Sequence, residues 1–275
     1  MEKNQSFSVL MSVYDKEKSE WFEESIESVL NNTVLPSEIV IVKDGKLTEQ
    51  LEAVLEKYSD NPIFKVVGYE ETRGLGKALN FGLAHCSNEL VARMDSDDIC
   101  AAERFEKELE VFEKYPEAAI VGANITEFIG SEENIVSARV VPETPEKIIK
   151  YSKIRNPFNH PSVMFKKSEA EKYGGYQDLY RNEDYYLWYR MLRGGCKGYN
   201  VQENLVNMRT SEDFYKRRGG FKALKEHKKL IKIMLKDKYI NIFQYVYVCL
   251  VYFMNAVMPS FLRKFMYKRM CRKTK

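Results

Sequence analysis

The chain has 275 residues, 44% hydrophobic and 30% charged, which excludes a disordered or collagen-like polypeptide and leaves one large domain, alone or with an appendage. Its formal charge of +3 conceals a split: residues 213–275 carry 17 Lys and Arg against 3 acids, and residues 1–212 carry 26 against 37. A strongly basic tail on an acidic domain suits an anionic surface, and nucleic acid and membrane both qualify. Five cysteines without metal-ligand spacing read as reduced thiols, and the N-terminus lacks a signal-peptide pattern, so the globular part is expected in the cytoplasm.

From Phe7 to Ile125, short apolar runs alternate with amphipathic stretches, the pattern of a parallel sheet covered by helices. Strands are expected at Phe7–Val13, Ile39–Val42, Phe64–Val67, Leu90–Met94 and Ala119–Ile125. Phe22, Ile26, Val29 and Leu30 mark one helical face, Leu51, Val54, Leu55 and Tyr58 a second, and Leu75, Leu79 and Leu83 a third. Prolines 142, 145, 157 and 161 break the pattern over residues 126–182, where loops and short strands are expected. Asn182 then opens an amphipathic helix through Leu192 whose first turn carries Glu183 and Asp184.

In open α/β sheets, ligands bind beyond the carboxyl ends of the strands. The residues expected there are Tyr14, Asp44 with Gly45, and the cluster Asp95-Ser96-Asp97-Asp98. Three carboxylates at the end of a buried strand repel one another and lose hydration, so they call for a divalent cation. Such a cation, with coordination positions left open, grips nucleotide phosphates. The plainer alternative is that Asp97 or Asp98 caps a helix running from Glu103. Arg73-Gly74-Leu75-Gly76-Lys77 is not a dinucleotide fingerprint, but a turn opening a helix, with Arg73 and Lys77 beside it, suits a phosphate or a base edge. For Glu183 and Asp184 two readings stand: compensation of the helix dipole, or a general base for a sugar hydroxyl.

Taken in order, the motifs Ser8-Val9-Leu10-Met11-Ser12-Val13-Tyr14, Val42-Lys43-Asp44-Gly45, Arg73-Gly74-Leu75-Gly76, Ala92-Arg93-Met94-Asp95-Ser96-Asp97-Asp98, Asn159-His160-Pro161 and Glu183-Asp184-Tyr185-Tyr186-Leu187-Trp188 resemble the inverting glycosyltransferases of family 2. The likeness covers roughly residues 6–212 and is greatest to bacterial enzymes of capsular or extracellular polysaccharide synthesis, including amylovoran-type galactosyltransferases. It implies a GT-A fold, a Rossmann-like mixed sheet flanked by helices, over residues 1–212, with residues 213–275 as a helical basic and aromatic extension. It also implies transfer of a hexose from a UDP-sugar such as UDP-galactose or UDP-glucose, with Mn²⁺ or Mg²⁺. Tyr14, Asp44, Arg73, Lys77, Asp95 and Ser96 would contact the donor, and Asp95 and Asp97 the metal, with His160 as a further ligand of lower rank. Asp184, flanked by Glu183, would be the base. Trp188 and Tyr185 could stack on an acceptor sugar, although helical spacing suits them equally to the core. Two departures stand out: Lys43 and Asp15 occupy positions where the family commonly has Asp and Asn.

Residues 239–262 hold no charged side chain, yet Asn241, Gln244, Asn255 and Pro259 interrupt them and both flanks are basic. A single span would put one basic flank outside the cell, so helices lying in the inner leaflet are expected, which suits a lipid-linked acceptor. The alternative is that these aromatics cover the catalytic domain or form a homodimer interface; nucleic acid is not expected as a partner. A sugar-nucleotide pyrophosphorylase would need a glycine-rich basic loop after the first strand, where Tyr14-Asp15-Lys16-Glu17 stands. A non-catalytic membrane-bound scaffold or sugar-nucleotide sensor is the remaining alternative.

Overall fold

The computed structural model describes residues 6–211 and 221–258. The first half builds β1 (Phe7–Val13), α1 (Ser19–Leu30), β2 (Glu38–Asp44), α2 (Glu49–Glu56), β3 (Phe64–Tyr69), α3 (Leu75–His85) and β4 (Leu90–Arg93). These four strands lie parallel in the order β3-β2-β1-β4. Their alternation sorts the core into two layers. Phe7, Val9, Met11, Ile39, Ile41 and Ala92 face α1 and α2, while Leu10, Val40, Val42 and Val91 face α3.

The second half comprises β5 (Ile99–Cys100), α4 (Arg104–Lys114), β6 (Ala118–Phe128), β7 (Ile135–Arg139), α5 (Pro145–Ser152), β8 (Met164–Lys166), α6 (Lys167–Lys172), α7 (Glu183–Arg193) and β9 (Lys197–Arg209). The parallel pattern expected through Ile125 ends at β4. Here β8 enters antiparallel between β4 and β6, and β9 runs parallel to β6, so the sheet is mixed. Its neighbours at this edge come from residues much later in the chain, which no local periodicity announces. The helix expected from Glu103 forms as α4, and its first turn is met by Asn32, whose Oδ1 accepts from the Phe105 N–H at 3.4 Å, so neither Asp97 nor Asp98 is spent on that task.

A third layer covers the back of α7, which is buried on both faces. Leu187, Trp188 and Met191 pack toward the sheet. Tyr185 and Tyr189 pack against Leu230, Ile231, Met234, Ile240 and Val248 of a helical pair, α8 (Phe221–Lys236) and α9 (Ile242–Val257). Asn241 starts α9 with a capping box shared with Gln244. At 1.5 Å per residue α9 is roughly 24 Å long, and no helix among the described residues is long and apolar enough to cross a membrane. The expected boundary at residues 212 and 213 and the basic stretch 263–275 lie outside the described residues.

Candidate active site

The parallel strands deliver their last residues to one edge. Asp44, at the end of β2, is buried, and its carboxylate accepts hydrogen bonds from the backbone N–H groups of Arg73 (2.7 Å) and Gly74 (3.0 Å). It thereby fastens the loop before α3 to the sheet, and Gly45, at φ +93°, makes the turn that follows it. The Arg73 guanidinium lies 4.3 Å over the ring of Tyr69 at the end of β3, and Tyr14 is 40% exposed just beyond β1. Lys43 turns to the opposite face of β2 and pairs with Glu52 of α2 at 2.6 Å, so its charge is neutralised away from Asp44.

Beyond β4, the carboxylates of Asp95, Asp97 and Asp98 come within 4.8 Å of one another. The loop is held from behind. Ser25 donates to the Asp95 carbonyl at 2.8 Å, the Arg209 N–H to Asp98 at 2.8 Å, and Arg209 Nε to the Asp97 carbonyl at 3.0 Å. Burial, followed by repulsion from Asp95, raises the Asp97 carboxyl well above the ordinary range. Asp98 is raised by burial and then by Asp97, and its Oδ2 is buried without a hydrogen-bond partner. Mutually repelling oxygens with unused acceptor capacity are what a hard divalent cation satisfies. The donor set therefore fits Mg²⁺ or Mn²⁺.

The second acidic group starts α7. Burial raises Asp184, whose Oδ2 accepts a 2.6 Å hydrogen bond from Asn156 Nδ2. Glu183, raised to about 7 by burial and by Asp184, also responds to the charges of Arg93 and Asp95. Glu183 is thus near enough to the Asp95 loop to respond to its charge. A Cβ added at Gly76 would sit 3.2 Å from Glu183 Cβ, so glycine lets the start of α3 approach the start of α7, and Lys77 meets Asp178 at 3.3 Å across the same gap.

With this geometry in view, the known proteins are informative. The family model described as Glycosyl transferase family 2 matches residues 8–171. The chain is 39% identical, over 97% of both chains, to the Escherichia coli UDP-Gal:alpha-D-GlcNAc-diphosphoundecaprenol beta-1,3-galactosyltransferase. The chain belongs to glycosyltransferase family 2. It is also 36% identical to the Erwinia amylovora amylovoran biosynthesis glycosyltransferase AmsE, over 96% of this chain and 98% of that one. Among solved structures, the mannosyltransferase PcManGT from Pyrobaculum calidifontis, in complex with GDP-Man and Mn²⁺, matches with a TM-score of 0.63 at 15% identity. That match covers 90% of this chain and 69% of that one, and it supports the fold alone. The fold is GT-A.

In this glycosyltransferase, the edge of the sheet gathers Tyr14, Asp44, Arg73 and the Asp95–Asp98 loop, and Glu183 and Asp184 face that loop from α7. Ser96 is buried and bonded to Glu17 at 3.1 Å. Three expectations change. Trp188 is wholly enclosed by Phe158, His160, Phe165 and Tyr176, and Tyr185 is buried with its hydroxyl on the Ser152 carbonyl, so neither offers a face to an acceptor sugar. His160 stands outside the aspartate group, with Nε2 engaged by the Tyr176 hydroxyl at 3.1 Å, and burial followed by Arg93 pushes its pKa down, so it is a hydrogen-bonding partner in the wall of the cleft. Sequence reasoning missed Arg209, Asn156 and Arg93. Only Arg93 carried a signal, as a charge in an otherwise apolar strand.

Proposed function

We propose that this glycosyltransferase moves a hexose from a UDP-sugar, by one inverting displacement, to a hydroxyl of a lipid-linked glycan in surface polysaccharide synthesis. The observation that carries the reading is the meeting of the Asp95–Asp97–Asp98 group and the Glu183–Asp184 pair at one strand edge. The Escherichia coli relative, whose printed name gives UDP-Gal as donor and a GlcNAc-diphosphoundecaprenol acceptor, supports the substrate classes. Tyr14, Asp44 and Arg73 hold the nucleoside end of the donor. Asp95, Asp97 and Asp98 would hold Mn²⁺ or Mg²⁺, which would neutralise the charge of the departing diphosphate. Asp184, steadied by Asn156, takes the proton of the acceptor hydroxyl as its oxygen attacks the anomeric carbon. The bond to the diphosphate breaks on the opposite face, and the electron pair leaves with UDP. No enzyme nucleophile is required.

Residues 1–212 are the catalytic unit in this reading, and residues 213–275 hold it to the cytoplasmic leaflet. The exposed face of α9, with Phe243 82% exposed beside Val246, Tyr247, Leu250, Met254 and Val257, supports this, as do the exposed Lys228, Lys229, Lys232, Lys236 and Lys238. An exposed apolar helix face together with exposed lysines on the preceding helix and turn suits the headgroup boundary of an anionic bilayer.

The test is transfer from a panel of UDP-sugars to a synthetic GlcNAc-diphospholipid with Mn²⁺, Mg²⁺ or EDTA. Product should form with one UDP-hexose and a divalent ion, and folded Asp97→Ala and Asp184→Asn variants should form none. Full turnover by folded Asp184→Asn would refute the assigned base. Metal-dependent UDP-sugar binding with no transfer to any acceptor would favour the sensor.

A further inference from the structure

Strand β4 reads Leu90-Val91-Ala92-Arg93, and its alternation puts Arg93 on the face it shares with Val91, toward α3 and α7. Its register partner on β1 is Leu10. A guanidinium therefore occupies a position that the pattern reserves for an apolar side chain. It is 1% exposed. One nitrogen, Nη2, pairs with the carboxylate of Asp95, while Nε and Nη1 are buried and make no hydrogen bond. A buried arginine with idle donors is costly, and a strand core has no structural need of one.

The surroundings of that charge suggest its use. From the loop after β4 it faces Asp95 and Asp98, and from the segment before α7 it faces Tyr176. Glu183 and Asp184 at the start of α7 feel the same cation, as does His160. Every other acidic group around it belongs to one of the two halves of the proposed reaction, the donor grip or the proton acceptor. Arg104, the next buried arginine along the chain, is spent differently: it pairs with Glu108 at 3.0 Å on the opposite layer.

We propose that Arg93 is a positioning residue for transfer, fixing the orientation of the Asp95 carboxylate and serving as the shared buried counter-charge beneath the Asp95–Asp98 loop and the Glu183–Asp184 pair. The inference rests on the glycosyl-transfer reading of this site. The planar fork is essential to the role. A lysine in its place keeps the charge but offers a point contact in place of a directed one, so it would not hold the carboxylate in one orientation.

The experiment compares the full chain with Arg93→Lys and Arg93→Met. Mn²⁺ binding in the presence of UDP is followed by electron paramagnetic resonance, and kcat and KM are measured below the melting temperatures of all three proteins. Removing the partner that orients a metal-binding carboxylate should weaken Mn²⁺ binding by roughly 10–100-fold. Arg93→Lys should show the metal defect with the fold intact and a lowered kcat, the acceptor KM being unchanged. Arg93→Met should lose both metal affinity and turnover. Asp95→Asn added to Arg93→Met should cost Mn²⁺ affinity less than it does in the unmodified chain, because the two residues act as a unit. If Arg93→Met does not fold, Arg93→Lys decides. A folded variant with lowered melting temperature but unchanged Mn²⁺ affinity and kcat would reduce Arg93 to a structural part and overturn the proposal. Absence of transfer by the unmodified chain strikes the proposed reaction instead, and the Mn²⁺ titration still tests Arg93.

Discussion

Burial opposes the charge of both Glu183 and Asp184, and at Glu183 the Asp184 carboxylate adds repulsion. Asp184, raised above the ordinary carboxylate range, must lose its proton before it can accept one, so the rate should fall as pH is lowered into the acidic range. Stability has the opposite sign. A carboxyl whose folded pKa is raised contributes most at low pH and loses that contribution as pH rises from the ordinary value of 4.5 through about 7. A pH–rate profile beside melting curves in the same buffers should therefore show activity rising while stability declines, with the decline reduced in Glu183→Gln. Asp184→Asn should lower kcat by about 10²–10⁴-fold and raise the melting temperature. These acids, like the Asp95 cluster, were legible because several charges stand together where a strand ends or a helix begins. The aromatics were not. Tyr185 and Trp188 read equally as acceptor platform or core until the layers on both sides of α7 are known, and His160 could not reveal that its partner is Tyr176.

Each early element could be read because it is short, regular and buried on a predictable face. The predicted strands at Phe7, Ile39, Phe64 and Leu90 correspond to β1 to β4 with ends shifted by at most two residues. By contrast β9, at 13 residues the longest strand, is half exposed, carries asparagines at 200, 204 and 207, and slips register against β6 near Ala123 and Asn124, so no period of two survives in its sequence. β5 is two residues long and exists through its pairing with β9. Among the connections, the turn after β2 is crowded by backbone as well as side chain. A Cβ on Gly45 would come 2.6 Å from Thr72 Oγ1 and 2.8 Å from the Thr72 nitrogen, at a φ that side chains avoid. Gly45→Ala should push the 72–74 loop off Asp44, costing about 1–3 kcal/mol of stability. Donor KM should rise more than kcat falls, which steady-state kinetics against UDP-sugar will show.

Across the whole molecule, the division of charge between domain and tail was visible in composition, but the place where the tail docks was not. Its contacts join residues far apart in sequence: Tyr189 donates to Asp237 at 2.6 Å, Tyr239 meets Ser152 at 2.5 Å, and His227 stacks on Tyr252 at 3.5 Å while its Nδ1 lies 2.9 Å from Asn182 Oδ1. Replacing Phe243 and Leu250 by Ser, both on the exposed face of α9, should weaken co-sedimentation with anionic vesicles. Turnover of a water-soluble acceptor should be unaffected. Vesicle binding unchanged by the pair would refer the face to self-association, visible as a dimer in analytical ultracentrifugation.

Asn182 immediately precedes Glu183 and Asp184, and through His227 it is braced by the helical pair that carries the α9 face. Cutting the chain after Thr210 would consequently remove the support behind the start of α7, where Glu183 and Asp184 stand. The helical pair and the acidic start of α7 share a wall, so a displacement of the pair would be felt first at the two acids that begin α7.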